Sequence, residues 1–499
     1  MEPVHLLPFE QAARRPGACA VIDADGREVS YGAHRAAILE TSERLAAAGL
    51  GPGDRLVIAA ENCHAATALI FAASVLGAVA VPVNARMTPA EIDRIVEHAA
   101  PRVIAFTSAA SGEAAAHAAR MGASGEGVAL ASGPGGGEAA AEGTAVILYT
   151  TGTTGAPKGV MLTHGNLRFA GVASATLRGM QAGDRVYGVL PLTHVFGLAS
   201  MLMAATHAGA TIQLETRFTP ERLHAALTGG VTIFPGVPQM HAVLMSWIER
   251  QGMGRLASPS LRYVSSGAAP LDPAWKRKAE AFYGLALQNG YGMTESTAGV
   301  SATRNPMGSG DTSVGPPLPG VDIVVDEDAG GADPGVGEVL TRGPHVMAGY
   351  YRAPGPTGEA IRDGWLRTGD LGRIDGEGRL HIVGRRKELI IRGGFNVYPP
   401  EVEAALNDHP KVIQSAVIGR TVHGDEQVLA FVQCADPGLL DLGELRAFCG
   451  ERLAPYKRPT HILAGTSLPA APTGKILKHR LLEAFGDALR RLDDAAGSC

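Results

Sequence analysis

The sequence predicts an α/β protein: a large N-terminal domain of α/β subdomains with a β-rich subdomain, then a small α+β C-terminal domain. Three observations lead there. Residues 30–105 alternate helix and strand signals, the pattern of a largely parallel sheet. From about Val321 the chain breaks into short strands and turns, VDIVV, GEVLTRG and GRLHIVG. From about Glu388 helices and strands form a unit of their own. The length of 499 residues corresponds to about three domain-sized units. At 45% hydrophobic residues a large core can be built.

The elements follow in order. The start, MEPVHLLPFEQAARRPG, has no charged beginning followed by a long apolar stretch, so it is not read as a signal peptide. Ser30 can cap a helix running to about Ala48. The strand RLVIAA comes next, then a run from Ala65 to Val83 that is almost wholly apolar. Gly77 and Pro82 interrupt it, so it reads as a buried helix and a buried strand, with no membrane span. Thr88 to Ala99 is a capped helix and VIAF a strand. Ala131 to Gly143 is a loose Gly/Ala-rich connection. Ala145 to Leu148 suits a buried strand, and a helix starts near Gly165. RVYGVLPL and TIQLE read as strands around a small-residue helix from about Leu198. Helices over Gly236–Ile248 and Pro273–Tyr283 flank the strand LRYVSS. In the last unit come the helix PPEVEAALND, the strands VIQSAVIG and VLAFVQC, a helix over about Leu442–Leu453 and a final helix from about Ile476.

Charge and cysteine usage narrow the function classes. A net charge of −5 with no basic tract argues against nucleic acid or an acidic membrane as partner. The five cysteines are scattered, odd in number and without a CxxC pair. That signals neither a disulfide framework nor a zinc site and fits a reducing cytoplasm.

The chemistry is organised around Tyr149 to Gly159, YTTGTTGAPKG. Gly152 and Gly155 let backbone N–H groups turn toward an anion. The hydroxyls of Thr150, Thr151, Thr153 and Thr154 are donors that phosphate oxygens accept, and Lys158 adds a positive charge. It is not a Walker A loop, which needs Gly-Lys followed by Ser or Thr; here Pro157 precedes the lysine and Gly159 follows it. In YGMTES, Glu295 is a candidate Mg²⁺ ligand, Tyr291 can stack on a base and Thr294 can reach a phosphate. In WLRTGDLG, Asp370 is expected in a tight turn, where a carboxylate serves the local backbone or a ribose hydroxyl. The basic run Arg385–Lys387 in GRRKELIIRGGFNV suits a solvated face, and Lys475 in PTGK follows a glycine in a turn.

These motifs, in this order from about residue 25 to 485, resemble those of the adenylate-forming enzymes: acyl- and aryl-CoA synthetases, luciferases and peptide-synthetase adenylation domains. Thr151 stands where that family usually has serine, and the hydroxyl is kept. The resemblance implies ATP, Mg²⁺ and coenzyme A as cofactor and co-substrates. Asn289, Gly290, Gly292 and Met293, with Ser266, Gly267 and Ala268, would line the ATP site. Asp370 would hold the ribose, and Arg385 the ribose or a phosphate. Lys387 would be the hinge between an adenylation domain (1–386) and a mobile C-terminal domain (387–499). Gly393 and Gly394 would line the coenzyme A channel, and Lys475 would reach the transferring group. Thr294, Glu295, His194, Lys387 and Lys475 make up the implied catalytic set.

In PLTHVFGL, His194 matches the residue that faces the reacting carboxylate, and Phe196 the one that faces the acyl group. Phe196, Val237, Gly267, Ala268 and Gly290 form a pocket without charge. Malonyl-CoA synthetases resemble the chain too, down to GGFNVYP. They carry a His in place of Phe196 and an Arg in place of Gly290, which bind a second carboxylate. A buried carboxylate without a partner is costly. The expectation is therefore a monocarboxylic acid, fatty, alicyclic or aromatic, activated by a cytoplasmic monomer or homodimer. Rival readings are an aryl-CoA ligase, a malonyl-CoA synthetase-like enzyme, a ligase that loads a carrier protein, and a non-catalytic nucleotide-binding protein.

Overall fold

The computed structural model describes residues 2–151, 157–267, 271–329, 333–393, 395–422, 425–470 and 476–490. Two large sheets carry the N-terminal part. In the first, seven strands lie in the order Gly349–Tyr350, Pro157–Thr163, Thr144–Thr151, Val79–Asn84, Arg55–Ala60, Val103–Phe106, Ala129–Ser132. Its four central members run parallel and its margins antiparallel. In the second, eight strands lie in the order Ser301–Ala302, Leu287–Tyr291, Tyr263–Gly267, Ile233–Gly236, Arg185–Gly188, Thr211–Leu214, Cys19–Ile22, Glu28–Ser30. The alternation read over residues 30–105 thus feeds one of two sheets. The strands at 19–30, too short to carry a periodicity, cross to the other.

The caps form where the sequence places them. The Ser30 hydroxyl accepts from the Ala33 N–H at the start of the helix Tyr31–Ala47. Thr88 and Glu91 close a reciprocal capping box on the helix Pro89–Ala99. The apolar run resolves into the helix His64–Val75 and the strand Val79–Asn84, both buried in cores shared with the sheets. Among the described residues no helix is long and apolar enough to cross a membrane.

Several elements depart from the sequence reading. The strand at 185 stops at Gly188, and the helix expected from Leu198 is a π-helix over Phe196–Met203 that passes into the helix Ala204–Ala208. A Cβ on Gly197 would stand 2.1 Å from the Pro191 carbonyl oxygen, so only glycine lets this turn close on the preceding loop. Asp370 is not in a tight turn. It lies within the strand Trp365–Ile374, in a stretch that bulges against Gly337–Arg342, with Gly369 at φ +71° supplying the kink. That strand belongs to the β-rich subdomain, with Asp322–Asp326, Gly337–Arg342, Ile361–Arg362 and Leu380–Arg385.

The C-terminal unit holds the hairpin Ile390–Arg392/Phe395–Val397 and a sheet of Gln414–Val422, Asp425–Gln433 and His461–Gly465. The helices Pro399–Asn407 and Leu442–Gly450 share a core with it. The expected final helix opens with a 3₁₀ turn at Lys478–Arg480 before Leu481–Ala484.

Candidate active site

Both large sheets contribute to one site. The described residues of the Tyr149–Gly159 motif lie on two antiparallel strands: Thr144–Thr151 pairs with Pro157–Thr163, Thr150 opposite Lys158 and Thr151 opposite Pro157. Gly152, Thr153, Thr154 and Gly155, like Ala268, Gly394 and Lys475, lie outside the described residues. Lys158 extends over the ring of Tyr350, its Nζ 4.9 Å from the centroid. The Tyr350 hydroxyl donates to Glu295 Oε1 at 2.9 Å. Burial and then the neighbouring Glu295 carboxylate push the Tyr350 hydroxyl up, so it is a neutral donor at neutral pH. The backbone fixes this grouping: Met347 N–H donates to the Glu295 carbonyl at 2.9 Å, and Gly349–Tyr350 pairs with Met161 and Val160. Thr294, next to Glu295 in a 3₁₀ turn, is buried.

Tyr350 was not among the residues the sequence singled out. Its only sequence signal is the triplet Gly349-Tyr350-Tyr351, two aromatics behind a glycine that adopts φ +132°.

A second group surrounds Asp370. Its Oδ2 accepts from the Tyr291 hydroxyl at 2.5 Å and its Oδ1 lies 3.1 Å from Arg385 Nε. The adjacent strands place these two anchors, Asp370 opposite Arg385. The Asn289 side chain is used within the framework: its amide donates to the Ser313 carbonyl at 3.1 Å and its oxygen accepts from the Gly290 N–H at 2.9 Å. Among the described residues the buried Ser266 hydroxyl, beside it in register, has no hydrogen-bond partner. Gly292 and Met293 link Tyr291 to the Thr294–Ser296 turn, where the Met293 N–H donates to Ser296 Oγ.

The residues expected to line an acyl pocket meet at the carboxyl ends of parallel strands, where open α/β sheets bind ligands. Ile233–Gly236, Tyr263–Gly267 and Leu287–Tyr291 run side by side, with Gly236, Ser266 and Asn289 in register and Gly267 opposite Gly290. Val237 follows the first of them and is buried. Phe196, the first residue of the π-helix, leans on this floor: a Cβ at Gly267 would stand 3.2 Å from its Cε1. His194, exposed, accepts the Phe196 N–H on Nδ1 at 3.3 Å and so is tied to the same turn.

The junction with the C-terminal unit is marked by ion pairs. Arg385 pairs with Asp370, and Arg386 Nη1 lies 3.5 Å from Glu338 Oε2. On the other side Lys478 Nζ lies 2.8 Å from Glu388 and 2.9 Å from Glu403. Lys387 falls between them in the 3₁₀ turn Arg386–Glu388. Gly393 stands at the tip of the Ile390–Arg392/Phe395–Val397 hairpin at φ +56°, its N–H on Asp425 Oδ1 at 2.8 Å.

The site has the chemistry to hold a magnesium nucleotide. Among the described residues no cluster of three metal-ligating side chains exists. A hard cation of the Mg²⁺ kind is typically held by one or two carboxylates and the substrate's phosphates, so Glu295 beside Lys158 fits it.

Comparison with known proteins agrees. The family model "AMP-binding enzyme" matches residues 8–351, and that of the "AMP-binding enzyme C-terminal domain" residues 401–475. The chain is 34% identical over 488 residues to the feruloyl-CoA synthase of an Amycolatopsis species, covering 96% of this chain and 98% of that one. It is 38% identical over 350 residues to the long-chain-fatty-acid–CoA ligase of Bacillus subtilis, covering 68% of this chain and 61% of that one. Among solved structures, ATP-bound MatB from Rhodopseudomonas palustris superposes with a TM-score of 0.82 at 30% identity, covering 98% of this chain and 100% of that one. With both family models matched in order and the match running nearly end to end, the chain belongs to the family of AMP-binding enzymes.

Proposed function

We propose that the chain is an ATP-dependent, AMP-forming acyl-CoA synthetase acting on a monocarboxylic acid. The observation that carries this is the meeting of Lys158, Tyr350 and Glu295 beside an uncharged strand-end floor of Val237, Gly267 and Gly290. In the first step a carboxylate oxygen attacks the α-phosphorus of ATP. The bond from that phosphorus to the bridging oxygen breaks, and pyrophosphate leaves with the electron pair. Lys158 faces the leaving charge, Asp370 and Arg385 hold the ribose side, and Tyr291 stacks on the base. Glu295 would hold magnesium, which when bound would supply charge neutralisation at the phosphates. Lys475, in PTGK, is assigned to the transferring group by its motif. In the second step the sulfur of coenzyme A attacks the acyl carbon, and AMP leaves.

No protein nucleophile is required; positioning and fixed charge do the work. The acyl group lies along Phe196, Val237, Gly267 and Gly290, with His194 at the carboxylate. Among the described residues of that wall, Phe196, Val237, Gly267 and Gly290, none is a cation that could pair with a second carboxylate. The wall thus supports a fatty, alicyclic or aromatic acid.

The two steps need different neighbours, since the Gly393 hairpin and Lys475 both follow Lys387. We place the domain boundary there, 1–386 and 387–499, with the small domain rotating between steps. The whole-chain likeness to an ATP-bound protein supports reading the present arrangement as the one for adenylation. Cys19, Cys63, Cys434 and Cys449 are free thiols, which supports a reducing cytoplasm.

The test is pyrophosphate release over a panel of acids, with and without coenzyme A. A medium-chain fatty acid or an aromatic acid should exceed malonate and succinate, and coenzyme A should be needed for thioester formation. Preference for a dicarboxylate would overturn the pocket reading, and acyl transfer only to a carrier protein would overturn the acceptor.

A further inference from the structure

Lys158 and Glu295 carry opposite charges on neighbouring elements, yet among the described residues they form no ion pair with each other. Tyr350 separates them. Its ring receives the ammonium at 4.9 Å and its hydroxyl binds the carboxylate at 2.9 Å. Were the two charges to close on each other, a phosphate and a metal arriving together would have to break that pair first. A neutral aromatic spacer leaves the cation turned to a phosphate and the anion to a metal before either arrives, the preorganisation that fixed-charge sites depend on.

The spacer is itself held firmly. Tyr350 is 9% exposed. Its N–H donates to Thr357 Oγ1 at 2.9 Å, and that hydroxyl in turn donates to the Ala353 carbonyl at 2.8 Å. The preceding Gly349 adopts φ +132°, and a Cβ there would stand 2.7 Å from Thr357 Cγ2, so glycine is what lets strand and helix close around the tyrosine. The helix Pro354–Ala360 thereby aims the ring from behind.

We infer that Tyr350 is a positioning residue of the magnesium–phosphate site, holding Glu295 for the metal and Lys158 for the phosphates while keeping the two apart. This rests on the reading of the site as one for magnesium ATP. It also assigns the two functions to separate parts of one side chain. The hydroxyl serves the metal ligand, and the ring face serves the lysine.

Those parts can be removed separately. Tyr350→Phe keeps the ring and loses the hydroxyl, whereas Tyr350→Leu loses both. ATP binding is measured by calorimetry on the full-length protein without any acid substrate, so that nothing turns over, first in EDTA and then with Mg²⁺. Mn²⁺ binding to the ATP complex is followed by electron paramagnetic resonance. Tyr350→Phe should bind metal-free ATP within about twofold of the parent. Its Mn²⁺ affinity should fall about 10- to 100-fold, the range for loss of a group that orients a metal ligand. Tyr350→Leu should show that loss and also weaken metal-free ATP binding. Thermal melting checks folding. Should Tyr350→Phe not fold, Tyr350→Trp, a ring whose donor points elsewhere, takes its place under the same two readings. Parental Mn²⁺ affinity in the hydroxyl-free variant would overturn the inference while leaving the enzyme reading intact. A parent that binds neither ATP nor Mn²⁺ would overturn both. Equal losses with and without metal would make Tyr350 a general packing residue and likewise overturn its role.

Discussion

At the scale of single residues, His241 links stability to the site. It is fully buried, its ring nitrogens 2.9 Å from the Tyr283 hydroxyl and 3.2 Å from the Ser265 carbonyl. The carbonyl can only accept, so Nε2 carries the proton and Nδ1 accepts from the tyrosine. Burial lowers its pKa to about 4 from an ordinary value of 6.5. Above pH 6.5 the ring is neutral folded or unfolded and the shift costs nothing. Between 6.5 and 4 the unfolded chain takes a proton that the folded one refuses, so stability falls as pH falls, and the loss is complete below about 4. His34, at about 3, and His345, at about 4, act in the same direction. Denaturant midpoints should therefore drop between pH 7.5 and pH 5. His241→Gln should lower the midpoint at pH 7.5 but shrink the further drop; an unchanged drop would remove His241 from the account.

Gly290 makes the complementary residue-scale case. A Cβ there already meets the Ser301 carbonyl oxygen at 3.2 Å, and an arginine would add a cation beside Phe196, Val237 and Gly267, none of which is a carboxylate. An uncompensated buried charge costs about 3–5 kcal/mol, so Gly290→Arg should lower kcat/KM for monocarboxylates by about 10²-fold or more. Unchanged kcat/KM would place Gly290 outside the pocket.

At the scale of elements, the π-helix Phe196–Met203 delivers Phe196 to the floor, and π-turns recur at functional sites. Its entry depends on Gly197, where a Cβ would meet the Pro191 and Leu190 carbonyl oxygens at 2.1 and 2.6 Å. Gly197→Ala should cost about 1–3 kcal/mol of stability, the usual range for forced overpacking, and raise KM for the acid more than for ATP. Denaturation curves and the two KM values check this. The sequence signals helix here because small apolar residues fit either helical form; the close approach of Gly197 to the Pro191 carbonyl depends on how the preceding loop folds back, which the helical periodicity does not record. Capped helices such as Pro89–Ala99 were legible because the cap is local chemistry. The Asp370 bulge was not, since Thr368-Gly369-Asp370 looks like a turn until the strands on either side pair. The site divides the same way. Lys158, Glu295 and Asp370 stand in motifs, whereas Tyr350 matters only because its strand pairs with one about 190 residues earlier.

At the scale of the whole molecule, ion pairs flank the domain boundary proposed at Lys387. Arg385 and Arg386 are tied to the large domain, and Glu388 to Lys478 of the small one. A further tie crosses the boundary: the Tyr398 hydroxyl donates to Asp333 Oδ2 at 2.5 Å, and the ring packs with Val336 and Leu371. The proposed rotation would have to break this bond. A hydrogen bond to a charged group is worth about 1.5–3 kcal/mol, so Tyr398→Phe should shift the domain equilibrium about 10- to 100-fold away from the present arrangement. Single-turnover pyrophosphate release should slow, while thioester formation from supplied acyl-adenylate should hold or quicken; the opposite pattern would reverse the assignment of conformations. The short strand Gly349–Tyr350 has one more consequence, for biosynthesis. A ribosome that has not yet passed codon 349 displays Pro157–Thr163 with its outer edge bare at Val160 and Met161, beside an apolar hairpin. Nascent chains arrested before that point should need chaperone cover and, released early, should aggregate, whereas chains ending just past Tyr351 should stay dispersed.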